Sequence, residues 1–141
     1  MANVIEDNKL SGVTTDPDTG ISLEVIGISS VNREEWLVTD LACNLLGVTS
    51  VPLYETLGQE MLNIILDECE LTTIFGSDIC LRNILSISKS NYKLQKLVTF
   101  DSEISAELIF FVIPVVFSVS AKLIYLNKDC KENNSFRMKN H

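Results

Sequence analysis

The chain holds one histidine, and it is the final residue, His141. A terminal side chain cannot be fixed against a nucleophile, so Ser-His-Asp and Cys-His arrangements are excluded. Zinc ligation at workable spacing fails for the same want of ligands. Glycines are few and scattered: Gly12, Gly20, Gly27, Gly47, Gly58 and Gly76 never stand one residue apart, and none precedes a lysine. Backbone amides gather around a phosphate only where glycines are closely spaced, so neither a dinucleotide fingerprint nor a P-loop is present. Ser11-Gly12-Val13-Thr14-Thr15 has the composition of a phosphate loop, but it lacks the second glycine and the following lysine. Bases are also scarce. Lys and Arg number 11 against 19 Asp and Glu, a net charge of −8, which argues against a nucleic-acid partner.

The four cysteines, Cys43, Cys69, Cys80 and Cys130, form no C-x-x-C pair. Three fall on apolar, helix-like segments, where free buried thiols are the ordinary reading. The polar, acidic start M-A-N-V-I-E-D-N-K-L does not read as a signal peptide. A reducing, cytoplasmic setting is the expectation.

What is present reads as a globular α/β chain. Hydrophobic residues make up 46% of 141 and charged residues 21%, enough to bury a core in one domain. Residues 1–20, with Asp16-Pro17-Asp18 and Gly20, read as a polar loop or frayed lead-in. Apolar runs of strand length begin near residues 23, 48, 71 and 96: L-E-V-I-G-I, V-T-S-V-P-L, L-T-T-I-F and K-L-V-T-F. Helical patterns separate them. The first is capped by Asn32 with Glu35, carries Trp36, Leu37, Leu41, Leu45 and Leu46 inward, and stops at Gly47. The second starts at Thr56 with Gln59 and buries Met61, Leu62, Ile65, Leu66 and Cys69. The third runs from Asp78 to about Ser88, with Ile79, Leu81, Ile84 and Leu85 inward. Strand and helix alternating at this interval predict a mainly parallel sheet with flanking helices.

The end of the chain differs. Residues 1–107 carry 17 acids and 6 bases, whereas residues 108–141 carry 5 bases and 2 acids. Leu108 to Ala121 is an uncharged run of 14 residues, short of the roughly 20 that span a bilayer. Extended to 104–126 it admits Glu107 and Lys122 near its ends, where Lys can snorkel. A membrane-inserted segment, a buried strand or helix, and a run left without its packing partner all remain open for it. The domain reading is thus a lead-in over 1–20, an α/β body over 21–103, an apolar segment over 104–126 and a basic tail over 127–141.

Candidate chemistry is thin. Asp67, Glu68 and Glu70 could be paired for acid–base work, but an acidic run beside Cys69 reads as a solvated helix end. Trp36 and Tyr54 could line a ligand cavity, although Trp36 on a helix facing a sheet reads as a core anchor. No catalytic, cofactor-binding or metal residue is assigned.

One stretch is more specific. Gly27-Ile28-Ser29 through Asn32-Arg33-Glu34-Glu35-Trp36 resembles the G-I-x-S-x-N-R-x-E-W signature of long-chain acyl-CoA synthetases, members of the AMP-binding, adenylate-forming superfamily. Asp40-Leu41-Ala42-Cys43 and Val51-Pro52-Leu53-Tyr54-Glu55-Thr56-Leu57-Gly58 resemble the blocks that follow it. Thr72-Thr73-Ile74-Phe75 and Leu97-Val98-Thr99-Phe100-Asp101 fit later strands, and Lys122-Leu123-Ile124-Tyr125 fits a further one. The likeness covers about residues 21–103. It implies part of the N-terminal domain of a long-chain fatty-acid–CoA ligase, which uses ATP and magnesium to make an acyl-adenylate and coenzyme A to displace AMP. The family's T-S-G-T-T-G-x-P-K phosphate loop, its T-x-G-x-T-E block, its ribose-binding aspartate and its C-terminal lysine domain have no counterpart here, so the resemblance implies scaffold and an inactive fragment. Fatty acid and coenzyme A are the partners implied for the full-length family, with a cytoplasmic location or an intracellular membrane such as the endoplasmic reticulum. A non-catalytic binding module and a small membrane-tethered α/β protein are the alternatives.

Overall fold

The computed structural model describes residues 1–87, 93–102, 112–115 and 122–126, the last two segments as backbone strands. Helix α1 (Ala2–Asp7) leads into strand β1 (Gly12–Thr15), then β2 (Ser22–Ser29), α2 (Glu34–Leu46), β3 (Thr49–Pro52), α3 (Gln59–Glu68), β4 (Thr73–Gly76), α4 (Asp78–Ile87) and β5 (Lys96–Thr99). Strands β6 (Val112–Val115) and β7 (Lys122–Leu126) complete one sheet.

Four strands form its parallel centre. β2 pairs with β3 and with β4, and β4 pairs with β5, all parallel. Gly27 is opposite both Val51 and Ile74, so β3 and β4 flank β2 on opposite edges. Val25 is opposite both Gly12 and Thr49, so β1 lies on the β4 edge, antiparallel to the first half of β2. β7 adds antiparallel to β5, and β6 to β7.

Side chains alternate across this centre because the strand period is two. Val25, Ile74 and Leu97 face one core with Leu62 and Leu66 of α3 and Leu81 and Ile84 of α4. Ile26, Ile28, Phe75 and Val98 face the other with Ile5, Ala42 and Cys43. Both faces are covered, which explains why the strands read as continuous apolar runs.

The lead-in differs from its sequence reading. Residues 2–7 are helical and 12–15 are a strand, because Ile5 and Leu10 are fully buried beneath α2 and β2 and anchor the segment. The Lys96 ammonium also donates to the carbonyls of Asn8 and Lys9. Ser11-Gly12-Val13-Thr14-Thr15 is the β1 edge, with the Ser11 hydroxyl donating to Glu24, and not a phosphate loop.

Helix α2 corrects three expectations. Its first-turn boundary is Arg33, not Asn32, and no side chain caps it; Glu35 is taken up by Arg33 instead of reaching back to an amide. Its inward face is Thr39, Ala42 and Cys43, with Trp36 and Leu46 half-buried at the margin. Leu37, Leu41 and Leu45 point outward. Trp36 is therefore a peripheral contact and not the core anchor. The stop at Gly47 stands: its φ of 71° is left-handed, and the Val48 N–H reaches back to the Cys43 carbonyl, a geometry glycine adopts without Cβ strain.

Smaller departures follow the same logic. α3 starts after Gly58 and not at Thr56, because residues 54–57 form a turn closed by the Leu57 N–H on the Tyr54 carbonyl. Met61 and Ile79, expected inward, are exposed. On α4, Cys80 joins Leu81 and Ile84 on the inward face, where Ile79 was expected. Within 104–126, residues 112–115 and 122–126 are sheet strands; the rest of that segment and the tail from 127 lie outside the described residues.

Candidate functional site

In an open α/β sheet the carboxyl ends of the strands hold the natural crevice, at the point where successive crossovers leave a central strand in opposite directions. Here that strand is β2: the chain leaves it to form β3 on one side and returns to form β4 on the other. The rim of β2, β3, β4 and β5 is therefore the candidate site. Backbone bonds seal it. The Leu53 N–H donates to the Ile28 carbonyl, the Ser29 hydroxyl to the Leu53 carbonyl, the Ser77 N–H to the Ser29 carbonyl and the Phe100 N–H to the Gly76 carbonyl.

A four-part clamp lies over this seam. The Arg33 guanidinium donates from Nε and Nη2 to the two oxygens of Glu35 at 2.7 and 2.8 Å, and from Nη1 to Asp101 Oδ1 at 2.6 Å. The other Asp101 oxygen accepts the Asp78 N–H at 2.6 Å, at the start of α4. Arg33 also stands 5.7 Å over the ring of Phe100, which in turn packs against Phe75 at 6.3 Å. Bidentate, charge-assisted geometry of this kind is the strong form of ion pair. One arginine thus ties the β2–α2 junction to the end of β5 and, through Asp101, to the α4 N-terminus. The dipole there favours the carboxylate.

The electrostatics follow from the contacts. The hydrogen bonds that Arg33 donates to Glu35 and then to Asp101 raise its pKa further. The Arg33 guanidinium, helped by a backbone amide, holds Glu35 down to about 2. Burial pushes the Asp101 carboxyl up, but the Asp78 N–H and Arg33 together outweigh it and keep the group below its usual value. Beside them the buried Cys80 thiol donates to Glu55 at 2.9 Å, and burial first, then Glu55, push its pKa up. Ser77 is 4% exposed and its hydroxyl has no oxygen or nitrogen partner among the described residues; it lies against Cys80 and lowers that thiol in opposition to burial. At neutral pH the carboxylates of Glu35 and Asp101 are thus ionised and the thiol is protonated. The clamp holds charge in place and is not poised for proton transfer near pH 7.

The residues weighed from sequence lie elsewhere. Asp67 and Glu68 are exposed at the end of α3, and Glu70 pairs with Lys93. Tyr54 is exposed and Trp36 half-buried. Cys43 and Cys80 are buried and Cys69 is half-buried, all as free thiols, while Cys130 lies outside the described residues. A depression of about 280 Å³ lies at the other end of the sheet, between Ile5, Lys9, Glu24 and Val48. It is remote from the rim, and its polar lining is Glu6, Lys9 and Glu24 with Ser11, whose hydroxyl already donates to Glu24. Asp101, Glu55 and Ser77 were missed as site residues. Arg33 and Asp101 are 68 positions apart, and no local pattern in the sequence marks such a pair.

Comparison with known proteins bears on this rim. A family model described as "AMP-binding enzyme" matches residues 20–117. The peroxisomal long chain acyl-CoA synthetase 6 of Arabidopsis thaliana is 39% identical over 61 residues, 43% of this chain and 9% of that protein. The long-chain-fatty-acid–CoA ligase 1 of Homo sapiens is 38% identical over 64 residues, 45% of this chain and 8% of that protein. The match thus spans less than a tenth of either relative's length. Among solved structures, the A domain of carboxylic acid reductase from Segniliparus rugosus superposes with a TM-score of 0.51 and 17% identity, over 69% of this chain and 22% of that one. A red-emitting luciferase from Phrixothrix hirtus gives 0.52 and 22%, over 56% and 15%. Those structural likenesses show the fold.

Proposed function

The chain belongs to the AMP-binding enzyme family, and from that membership we propose that it is a scaffold segment of a long-chain fatty-acid–CoA ligase, without ligase activity alone. The observation that carries this is the pairing of 38–39% identity to long-chain acyl-CoA synthetases with coverage of under a tenth of their length. The matched blocks occupy structural positions here: Arg33 and Glu35 form the clamp, and Val51 and Pro52 close β3.

The residues of this rim do not fit ATP. A triphosphate needs free amides or cations gathered in one place. At this rim the Asp78 amide and three guanidinium nitrogens already serve carboxylates, and Glu35, Glu55, Asp78 and Asp101 would repel a further anion. In the proposed reading, ATP, magnesium, fatty acid and coenzyme A are handled by other parts of a whole ligase, and the clamp keeps the sheet rim rigid beside them. Purified chain should give no ATP–pyrophosphate exchange with palmitate; exchange above a heat-denatured control would overturn the reading.

A binding-module role is a second reading, favoured by the apolar outer face of α2. For the membrane-tethered alternative, no helix among the described residues is long and apolar enough to cross a membrane, and most of 104–126 lies outside those residues.

A further inference from the structure

Helix α2 is apolar on two opposite faces. Thr39, Ala42 and Cys43 are buried against the sheet, with Trp36 and Leu46 beside them. On the far side Leu37, Val38, Leu41 and Leu45 are 54, 48, 53 and 81% exposed. At 100° per residue these four fall within about a third of the helix circumference, opposite the buried set. They run for most of its 13 residues. The other helices show less: Met61 and Ile64 on α3, and Ile79 on α4.

A surface helix of a finished domain carries one apolar stripe and one polar face, and a helix apolar all round belongs to the interior of a larger core. Contiguous exposed apolar surface of this kind marks a contact. The chain matches less than a tenth of the length of its ligase relatives, and the solved A domain it resembles is several times longer than the superposed part. Most of such a domain is therefore made by residues outside the matched stretch. A lipid surface is disfavoured because α2 carries Glu34, Glu35 and Asp40 and no Lys or Arg, whereas surface-seeking helices are basic.

We propose that the outer face of α2, from Leu37 to Leu45, is a docking surface for the complementary part of an AMP-binding domain, which covers it with a second apolar layer. The inference rests on the scaffold-segment reading and names the surface through which such a segment is completed.

The test co-expresses the tagged full chain with human long-chain-fatty-acid–CoA ligase 1 lacking the 64 residues this chain matches. A p-benzoylphenylalanine replaces Leu41. Light should yield a covalent adduct with the complement, and L41E/L45E should cut co-purification at least tenfold. Because both leucines are exposed, the double variant's thermal melt should match the parent chain's, which separates lost docking from lost folding. An adduct confined to a second copy of this chain, an adduct with added phosphatidylcholine vesicles, absence of any adduct, or equal recovery of L41E/L45E would each overturn the docking surface. Pyrophosphate exchange by the chain alone would instead overturn the scaffold reading, so the two failures are distinguishable.

Discussion

Gly76 is the position where one added methyl should do most damage. A Cβ built there would sit 2.1 Å from the Ser29 carbonyl oxygen and 3.1 Å from the Leu81 side chain. Leu81 can turn aside. Ser29 cannot, because its carbonyl is fixed by the Ser77 N–H and its strand is paired on both edges. Gly76→Ala must therefore push β4 away from β2 by about 1 Å at the rim. Overpacking of a tight core costs about 1–3 kcal/mol, and a buried carbonyl left without its partner about 1–3 kcal/mol more. The expected loss is about 3–5 kcal/mol. With a urea slope of about 2 kcal/mol per M, the unfolding midpoint should fall by about 2 M. Trp36, the one tryptophan, is half-buried and reports the transition by fluorescence. Gly58→Ala is the control: a Cβ there meets nothing within 4 Å and φ is −66°, so the loss is confined to alanine being a poorer N-cap than glycine, about 0.5–1 kcal/mol. A Gly76→Ala midpoint within 0.3 M of the parent (about 0.6 kcal/mol at that slope) would refute the reasoning, because it would mean the two strands are not held at that separation.

Three further outcomes follow from the described contacts. Glu35 is held at about 2 against an ordinary 4.5, so its contribution to stability is complete above pH 4.5 and fades as pH falls toward 2. Glu35→Gln should flatten the loss of urea resistance over that window, and an unchanged slope would count against the clamp. Leu66→Ala, at a fully buried site, should cost about 2–5 kcal/mol, while Leu45→Ala, at an 81% exposed one, should cost under about 0.5 kcal/mol in the isolated chain; equal losses in urea unfolding would contradict the placement of α2. Burial, then Asp40, push the Cys43 thiol up to about 11, so an aromatic disulfide reagent at pH 8 should leave Cys43 unmodified until urea is added. Rapid native labelling of Cys43, located by mass spectrometry, would show that it is accessible.

The parallel centre was legible because its strands are buried on both faces, and continuous apolar runs such as V-I-G-I and L-V-T-F carry that signal directly. Observed strand bounds differ from the expected ones by two residues at most, as at Thr73 against Leu71. The inner face of α2 was not legible. With Leu37, Leu41 and Leu45 on one side and Ala42, Cys43 and Leu46 on the other, leucine is the stronger hydrophobe and drew the reading to the wrong stripe. Residues 1–20 were misread because their polarity hides two decisive side chains, Ile5 and Leu10. At the rim, Arg33 was read only as part of a familiar block, and Glu35 as part of that block and of an Asn32 cap. Their partner Asp101 arrives from β5 through the fold itself, and a contact across the whole sheet leaves no local trace.

The double use of the β4-side edge of β2 bears on the order in which the chain can fold. β1 meets that edge through a hairpin closed by Gly20, with φ of 70°, and by the Asp16 carboxylate accepting the Asp18 and Thr19 amides. β4 meets the same edge only after two complete crossovers. Short loops close at lower entropic cost than long ones, so the hairpin can form before any parallel pair exists. Once formed, it occupies the first half of β2 and leaves residues 26–29 of that edge, of which Gly27, Ile28 and Ser29 pair with β4. The hairpin therefore acts as a ruler: it blocks β4 from sliding toward the start of β2 and so selects the register that brings Ser29 beside Gly76.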